Sequence, residues 1–340
     1  MTSSTRQQSM LLSLGVAAGM TAMQLIFRRN YDLRRKTVFV TGGSGGLGLL
    51  LAREFAARGS RVAISGGDGE ALELAAAYIR RYGQHVLPVE TDVTVREDAE
   101  TAIDQIRRQF GPVEVLVNNA GTICVGPLEG MTVDDFRDSL NTHFWGPYFT
   151  TMAVLPGMKK AKQGRILNIS SIGGKISVPH LLPYCVGKFA LTGFSEGLRS
   201  ALLKDQIYVT TVCPGLMRTG SARKAFFKAN NEGEYAWLSI SHAVPGLSMN
   251  AERAAHRIVN ACVRGDAEIV LSVPAMAATK FEAIFPGISA DLLGIVNQLL
   301  PKADQGDESV KTAKQGFSDV STSWVTALNE RAAVGNNQVR

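Results

Sequence analysis

Residues 37–48, with the sequence TVFVTGGSGGLG, decide the fold that we predict for this chain. The first four side chains are β-branched or aromatic and suit a buried strand, and glycines follow soon after. A helical pattern begins near Leu47 and continues to about Arg58. Glycines allow a tight turn and a close approach of phosphate oxygens to backbone N–H groups, which a helix N-terminus also favours. The stretch therefore predicts a strand, a phosphate-binding turn and a helix.

The chain as far as residue 272 repeats this alternation of short β-branched runs and longer helical patterns. The seven predicted strands lie at residues 37–41, 61–65, 85–89, 113–118, 164–170, 208–213 and 268–271. Strands that alternate with helices predict an α/β fold, namely a doubly wound parallel seven-stranded sheet of the Rossmann type with helices on both faces. In such a sheet the ligand crevice lies at the carboxyl ends of the strands.

The composition is that of a soluble globular protein, with 45% hydrophobic and 19% charged residues among 340. These fractions exclude a mainly disordered chain. Five of the six net positive charges fall within residues 1–36, so no basic face across the folded part indicates a nucleic-acid partner. The four cysteines are far apart and lack the spacing of a zinc site, which indicates reduced thiols in a cytoplasmic compartment and no metal.

Residues 10–27 form a mostly apolar run at the short end of the length that spans a bilayer. Basic residues follow the run as far as Lys36, whereas a cleaved secretory signal carries its charge before the run. Two interpretations stay open, a membrane anchor formed by residues 10–36 or a soluble helix docked on the domain. An anchor would leave the domain that follows it on the cytoplasmic side.

Further motifs follow the predicted strands. After the third, fourth, fifth and sixth strands come, in order, Asp92-Val93, Asn118-Asn119-Ala120-Gly121, Ser171 and Pro214-Gly215. Tyr184 and Lys188 lie four residues apart on a predicted helix, so both side chains project from one face. Hydride transfer to a carbonyl leaves an alkoxide that needs a proton, and a lysine ammonium would lower the pKa of a tyrosine that donates it.

Together with T-G-x-x-x-G-x-G from Thr41, these motifs resemble those of the short-chain dehydrogenase/reductase family over residues 36–270. The resemblance implies an NAD(P)-dependent oxidoreductase that acts on alcohol and carbonyl groups. It implies that Tyr184 is the acid/base, that Lys188 holds the nicotinamide ribose, that Ser171 polarises the substrate oxygen and that Asn141 supports the proton path. The cofactor-binding residues that it implies are Thr41, Gly42, Gly46, Leu47, Gly48, Asp92, Val93, Asn118, Ala120, Gly121, Tyr184, Lys188, Pro214, Gly215 and Thr219.

The turn after the second predicted strand bears on the choice between NAD(H) and NADP(H). An acidic residue there pairs with the ribose hydroxyl of NAD, whereas a basic residue pairs with the phosphate of NADP. This chain carries Gly66 and Gly67 at those positions, and Gly45 where many NADP enzymes have a basic residue in the glycine turn. We expect NADP(H) because nothing at Gly66 would repel a phosphate.

Residues 215–251 lie where the family places a flap over the substrate. The large apolar side chains of this segment are Phe226, Phe227, Tyr235, Trp237, Leu238 and Met249. They suit the wall of an apolar pocket, but equally the packing of the flap on the core or a homo-oligomer contact. With the apolar region that follows residue 272, they favour a lipophilic carbonyl or alcohol as the substrate, such as a long-chain keto lipid, a retinoid or a steroid-like compound. His143 and His180 flank the site and, without a paired carboxylate, are interpreted as packing residues or substrate-wall contacts.

Two other functions compete with this prediction. A non-catalytic nucleotide-binding regulator or scaffold could use the same fold, but it would not need Ser171, Tyr184, Lys188 and Asn141 together. A soluble 3-oxoacyl-carrier-protein reductase would not need the terminal additions. We divide the chain into an apolar helix with a basic cluster at 1–35, the Rossmann-type catalytic domain at 36–272, an apolar helical extension at 273–301 and a polar, disordered tail at 302–340.

Overall fold

The computed structural model describes residues 30–244, 246–302, 311–312 and 332–338. The predicted apolar run at residues 10–27 and the start of the basic cluster lie outside these ranges. Within them, no helix combines the length and the hydropathy that crossing a membrane requires. The described chain joins the core before its first strand, since Tyr31 and Leu33 are buried and the Arg165 guanidinium lies 4.3 Å from the centre of the Tyr31 ring.

A parallel seven-stranded sheet forms the centre of the fold, as predicted. Its strands in chain order are β1 (Thr37–Val40), β2 (Arg61–Gly66), β3 (Val86–Glu90), β4 (Val115–Asn118), β6 (Gly164–Ile169), β7 (Ile207–Pro214) and β11 (Glu268–Leu271). Their spatial order is β11-β7-β6-β4-β1-β2-β3. The order reverses beside β1, where Val40 pairs with Ile64 on one side and with Val117 on the other. This reversal opens a crevice beyond the carboxyl end of β1.

Helices cover both faces of the sheet. They are α1 (Gly46–Ala57), α2 (Gly69–Arg80), α3 (Arg96–Phe110), α4 (Val133–Leu140), α5 (Gly146–Ala161), α6 (Leu182–Leu202), α7 (Asn231–Ala243), α8 (Ala251–Arg264), α9 (Val273–Ile284) and α10 (Pro286–Leu299). Side chains of α1, α2 and α8 pack into one apolar core, and those of α3, α5 and α6 pack into a second core on the opposite face. The strands are buried on both faces for this reason, which explains their continuous apolar runs.

Short strands complete the structure outside the main sheet. They are β5 (Cys124–Val125), β8 (Met217–Arg218), β9 (Phe226–Phe227), β10 (Met249–Asn250) and β12 (Lys311–Thr312). β9 pairs with β5 and with β12, and β8 pairs with β10. These pairings hold the segment between β7 and α8 over the carboxyl end of the sheet.

The predicted C-terminal helical extension is present as α9 and α10, which contact each other. Apolar side chains of this pair face outward, and Ile284 and Leu299 are 68% and 81% exposed. Other residues of the same helices, among them Ala275, Ala278 and Leu293, line a cavity at the carboxyl end of the sheet. The extension therefore adds an apolar wall to the region where the predicted site lies.

Candidate active site

Two adjoining cavities lie at the carboxyl end of the sheet, with volumes of about 690 and 640 Å³. Gly42, Ala120, Gly121 and Tyr184 line both of them, so the cavities form one crevice around the end of β1. The larger cavity extends along the turn after β2, and the smaller one extends under α7 and α9. A crevice of this size can hold a cofactor together with part of a substrate.

The glycine turn after β1 adopts a geometry that favours glycine. Gly42 and Gly46 have φ angles of 63° and 56°, which place them in the left-handed region. A Cβ atom on Gly48 would overlap the carbonyl oxygen of Gly42 and lie 2.5 Å from the Asn119 amide nitrogen. Gly48 therefore allows the close packing of α1 on the turn.

The start of α1 fits a negatively charged group. No side chain of the described residues caps this helix, and its first turn has no acidic residue. Backbone N–H groups at the start of a helix attract phosphate. The glycine turn and the helix start thus fit the pyrophosphate of a dinucleotide, with Gly46 and Leu47 lining the smaller cavity.

Thr41 and Asn119 tie the glycine turn to the end of β4. The Thr41 hydroxyl accepts hydrogen bonds from the backbone N–H groups of Asn119 and Ala120, each 3.0 Å long. The Asn119 side-chain amide in turn donates to the carbonyl oxygens of Thr41 and Gly42 at 3.1 Å. These bonds fix the backbone on two sides of the crevice.

Asn118 lies beneath the crevice and links three elements. Its amide nitrogen donates to Asn168 on β6 at 2.8 Å and to Thr151 on α5 at 3.2 Å. Its amide oxygen accepts a bond of 2.7 Å from the Thr150 hydroxyl. The side chain is buried among these partners, so Asn118 acts on the site by positioning the end of β4.

The turns after β2 and β3 line the larger cavity. Asp92 lines it with Val93 and uses its carboxylate to accept hydrogen bonds of 2.9 and 2.7 Å from the backbone N–H and the hydroxyl of Thr94. Asp68, the acidic residue next to the two glycines after β2, caps α2 by accepting from the Ala71 N–H at 3.0 Å. A Cβ atom on Gly67 would meet no atom within 4 Å, so this position is open.

Ser171, Tyr184 and Lys188 meet in the smaller cavity. Ser171 follows β6, where its hydroxyl accepts a hydrogen bond of 3.0 Å from the Gly173 N–H and lies near enough to the Tyr184 phenol to affect its pKa. Lys188 lies one turn further along α6, with its Nζ atom 5.7 Å from the centre of the tyrosine ring. The same nitrogen donates to the carbonyl oxygen of Ile169 at 2.8 Å, which holds the ammonium at the end of β6. The structure thus brings three of the four predicted catalytic side chains together.

Burial sets the ionisation of the tyrosine and the lysine. Removal from water raises the pKa of Tyr184 to about 12, and the nearby Ser171 hydroxyl opposes this shift. The same cause lowers the pKa of Lys188 to about 7. The phenol is therefore protonated at neutral pH, and the lysine titrates near neutrality.

His143 stands beside the tyrosine, although the sequence indicated only a packing or wall residue. Its ring lies edge-to-face against Tyr184 with centroids 5.3 Å apart, and one ring nitrogen is 2.9 Å from the carbonyl oxygen of Thr122. Burial, and then the charge of Lys188, holds the pKa of His143 well below its usual value, so the ring is neutral. Asn141 instead has an exposed side chain and lines the larger cavity. No hydrogen bond from that side chain to another described residue is present, and its part in a proton path stays a prediction.

Most of the other predicted cofactor residues border the crevice. Pro214 ends β7, and Gly215 packs so closely that a Cβ atom on it would lie 2.9 Å from Ala275. Thr219 is buried, and its hydroxyl accepts from the N–H of Ser221 at 3.2 Å. The predicted residues that line either cavity are Gly42, Gly46, Leu47, Asp92, Val93, Ala120, Gly121, Asn141, Ser171, Tyr184, Lys188, Pro214, Gly215 and Thr219. Thr41, Gly48 and Asn118 lie behind this lining.

His180 does have a carboxylate partner, which corrects the sequence interpretation. Its Nδ1 atom is 2.7 Å from Glu234 on α7, and both side chains are buried. The other oxygen of Glu234 accepts from the indole of Trp237 at 2.6 Å. The two residues of the pair are far apart in sequence, so no local motif could reveal it. The pair fixes α7 over the smaller cavity, which Trp237 and Leu238 line.

The segment over the site also has a small apolar core of its own. Phe227 and Tyr235 are fully buried in it with Val125, whereas Phe226 is 40% exposed. Among the predicted flap side chains, some therefore pack the flap on the domain and others line the cavity. Residues 332–338, near the C-terminal end, contact the loop after β7 and the glycine turn. Nothing in the sequence predicts this contact.

The family model described as short chain dehydrogenase matches residues 36–230, which is more than half of the chain. Estradiol 17-beta-dehydrogenase 11 of Pongo abelii is 33% identical over 220 residues, which cover 62% of this chain and 72% of the relative. 17-beta-hydroxysteroid dehydrogenase 13 of Homo sapiens is 31% identical over 196 residues, which cover 57% of this chain and 65% of the relative, slightly less than two thirds of its length.

The chain is also similar to a third relative over a shorter stretch, and to a solved structure. 3-ketodihydrosphingosine reductase of Bacteroides thetaiotaomicron is 41% identical over 129 residues, 38% of this chain and 48% of the relative. The crystal structure of a short-chain dehydrogenase from Streptomyces avermitilis superposes with a TM-score of 0.67 at 27% identity, covering 77% of this chain and 97% of that one. With its parallel sheet and its glycine turn, the chain belongs to the short-chain dehydrogenase family, whose members are NAD(P)-dependent oxidoreductases of alcohols and carbonyl compounds.

Proposed function

We propose that this protein is an NAD(P)-dependent oxidoreductase that interconverts a lipophilic carbonyl compound and its alcohol, with Tyr184 as the acid/base. The observation that carries the proposal is the convergence of Ser171, Tyr184 and Lys188 on one cavity, with the lysine Nζ atom 5.7 Å from the centre of the tyrosine ring. A scaffold that only binds a nucleotide has no use for a protonated phenol, a hydroxyl and an ammonium that converge on one point.

Tyr184, Ser171 and Lys188 each have a separate role in the proposed reaction. When bound, the nicotinamide supplies or accepts a hydride. In the direction of reduction, Tyr184 donates its proton to the oxygen of the substrate carbonyl, which becomes the alcohol, and Ser171 orients that oxygen by a hydrogen bond. The charge of Lys188 stabilises the phenolate that Tyr184 leaves behind. In the reverse direction the phenolate takes the proton from the alcohol.

The walls of the smaller cavity support a lipophilic substrate. Leu181, which precedes α6, lines it together with apolar side chains of the flap, α9 and α10, and these are Trp237, Leu238, Leu247, Ala275, Ala278 and Leu293. The relatives named for estradiol and for 3-ketodihydrosphingosine, a steroid and a lipid, agree with an apolar pocket of this kind. An apolar wall discriminates against small hydrated carbonyl compounds because their polar groups would lose water without gaining partners.

The experiment that tests this function is a titration followed by a substrate panel. Purified protein is titrated with NADPH and with NADH, and dinucleotide oxidation is then followed with long-chain ketones, steroid-like ketones, retinal and an acyl-carrier-protein thioester. We expect turnover with lipophilic ketones or aldehydes. Dinucleotide binding without turnover on any of them would favour the regulator, and turnover on the carrier-bound thioester alone would favour the soluble reductase.

We propose NADP(H) as the preferred cofactor. The turn after β2 offers no carboxylate at Gly66 or Gly67, and the nearby Asp68 side chain is engaged in capping α2. The Gly67→Arg variant should bind NADPH roughly tenfold more tightly relative to NADH, because a guanidinium there would meet the 2′-phosphate. Gly67→Asp is the matched control and should shift the ratio of the two dissociation constants toward NADH. If neither variant changes that ratio, the ribose is recognised elsewhere.

We also propose that residues 10–36 attach the protein to the cytoplasmic face of a membrane. The apolar run would be buried in lipid, and the basic cluster would meet anionic headgroups. Full-length protein should sediment with membranes in low and in high salt, and deletion of residues 1–29 should release it. The deletion stops there because Tyr31 and Leu33 belong to the core. Wholly soluble full-length protein would contradict the anchor, and so would a truncated protein that stays bound through the exposed apolar side of α9 and α10.

A further inference from the structure

A segment near the C-terminus lies across the crevice, far in sequence from every family motif. We call residues 332–338 the C-terminal strap. Ala333 is fully buried, and a Cβ atom on Gly220 would overlap its Cα atom. Gly220 follows the predicted cofactor residue Thr219 and has a φ angle of 85°. The strap thus packs against the loop after β7, which lies on the side of the crevice opposite the glycine turn.

Hydrogen bonds join the strap to both sides of the crevice. The Gly46 N–H donates to the carbonyl oxygen of Asn336 at 2.8 Å, and the Asn337 amide donates to the carbonyl oxygen of Ser44 at 2.8 Å. On the other side, the Asn336 amide donates to the carbonyl oxygen of Thr219 at 3.2 Å. The strap therefore bridges the phosphate-binding turn and the loop after β7.

Gln338 is the strap residue whose side chain forms no hydrogen bond with the other residues that the structure describes. It is 8% exposed and lines the cavity that contains Tyr184 and Lys188. Its amide nitrogen lies 3.2 Å from the point where a Cβ atom on Gly46 would stand, at the start of α1. None of the described residues forms a hydrogen bond with this amide. The amide is open to the cavity, so its position next to a phosphate-binding helix start points to a ligand that supplies a hydrogen-bond partner.

The absence of a side chain at Gly45 supports the same role. Its backbone is extended, with a φ angle of −167°, which any residue can adopt. A Cβ atom there would overlap the Gln338 amide and lie 2.9 Å from the carbonyl oxygen of Asn337. The strap, and not the backbone of the turn, thus requires glycine at this position. This also explains why a basic residue is missing from the glycine turn.

We infer that the C-terminal strap is part of the dinucleotide site and that the Gln338 amide donates a hydrogen bond to the pyrophosphate. The inference rests on the proposed use of NAD(P). The Gly46 N–H donates to the strap, whereas the N–H groups of Leu47 and Gly48, which precede the first helical bond at Leu49, stay available to the phosphates. A bound dinucleotide would then lie in the cavity beside the strap and contact both the start of α1 and the Gln338 amide.

The test is the dissociation constant of NADPH, measured by calorimetry on full-length variants. Gln338→Ala should raise it roughly tenfold, because a hydrogen bond to a charged group is lost. Gln338→Glu should raise it further, because a carboxylate would face the pyrophosphate. Gln84→Ala removes an exposed glutamine and serves as the matched control, with no change expected. An unchanged thermal unfolding midpoint shows that each variant is folded.

Gly45→Ala provides an independent approach. Its added methyl group overlaps the strap and displaces it, while residue 338 remains glutamine. It should also weaken NADPH binding, and adding Gln338→Ala to it should cost little more, since both changes remove the same contact. An unchanged dissociation constant in Gln338→Ala would overturn the inference. Tighter binding would overturn it as well, since the strap would then compete with the dinucleotide. If the wild-type protein binds neither NADPH nor NADH, the proposed function itself fails.

Discussion

Replacement of Tyr184 by Phe should lower turnover at least about 100-fold and leave the dissociation constant of the dinucleotide within about twofold of wild type. The variant keeps the aromatic ring, which packs edge-to-face on His143, and removes only the hydroxyl near Ser171. Because burial raises the pKa of Tyr184 to about 12, the lost group is a protonated phenol at neutral pH. The step that fails is therefore proton donation to the substrate oxygen.

The measurement compares kcat for reduction with a separate dinucleotide titration. Tyr82→Phe is the control, since Tyr82 is 46% exposed and lies away from the crevice. This control should keep wild-type turnover. If Tyr184→Phe also retained nearly full turnover, another group would have to supply the proton, and the assignment of the acid/base would be wrong.

Replacement of Lys188 by Met should reduce both turnover and cofactor binding. We expect turnover to fall roughly 100-fold, as for the loss of other preorganised electrostatic donors, and dinucleotide affinity to fall roughly tenfold. The two effects distinguish this variant from Tyr184→Phe, because the ammonium is assigned both to the ribose and to the phenolate. Lys204→Met changes an exposed lysine and should alter neither quantity.

The pH dependence of reduction should report Lys188 directly. Burial lowers the pKa of Lys188 to about 7, and only the protonated form stabilises the phenolate. The rate of reduction by wild-type protein should therefore decline as the pH rises through about 7, and the methionine variant should lose this decline. A wild-type profile that stays flat across this range would contradict the assignment.

The buried Lys188 should also make the free energy of unfolding depend on pH, in a direction that follows from its lowered pKa. Between pH of about 7 and the ordinary lysine value of 10.5, the unfolded chain binds a proton that the folded chain does not. The free energy of unfolding should then increase with pH over this window, and Lys188→Met should remove that contribution. Urea titrations at several pH values measure it, and an unchanged slope in the variant would contradict a buried Lys188.

The sheet could be predicted because its signals are local. Each of the seven strands is a short apolar run that helices cover on both sides, and the glycine turn carries its own backbone requirement at Gly42 and Gly46. The spacing of Tyr184 and Lys188 placed both side chains on one face of α6. Local periodicity and one-turn spacing are enough for inferences of this kind.

Contacts between distant segments could not be predicted in this way. The buried pair of His180 and Glu234 joins a loop to α7, and the strap with Gln338 meets the glycine turn nearly three hundred residues away in sequence. Neither partner carries a motif, so no sequence pattern connects them. The same limit applies to His143, which differs from a packing histidine only by its place beside Tyr184.

Transfer of deuterium from NADPH, labelled at the transferable position of the nicotinamide ring, to a lipophilic ketone tests the central claim most directly. Both labelled isomers are incubated separately with the protein and a long-chain or steroid-like ketone, and the alcohol is analysed by mass spectrometry. We predict that the alcohol carries deuterium from one isomer with wild-type protein and that Tyr184→Phe yields almost no alcohol in the same time. Alcohol without deuterium from either isomer, or no NADPH-dependent alcohol from any lipophilic ketone, would contradict the account.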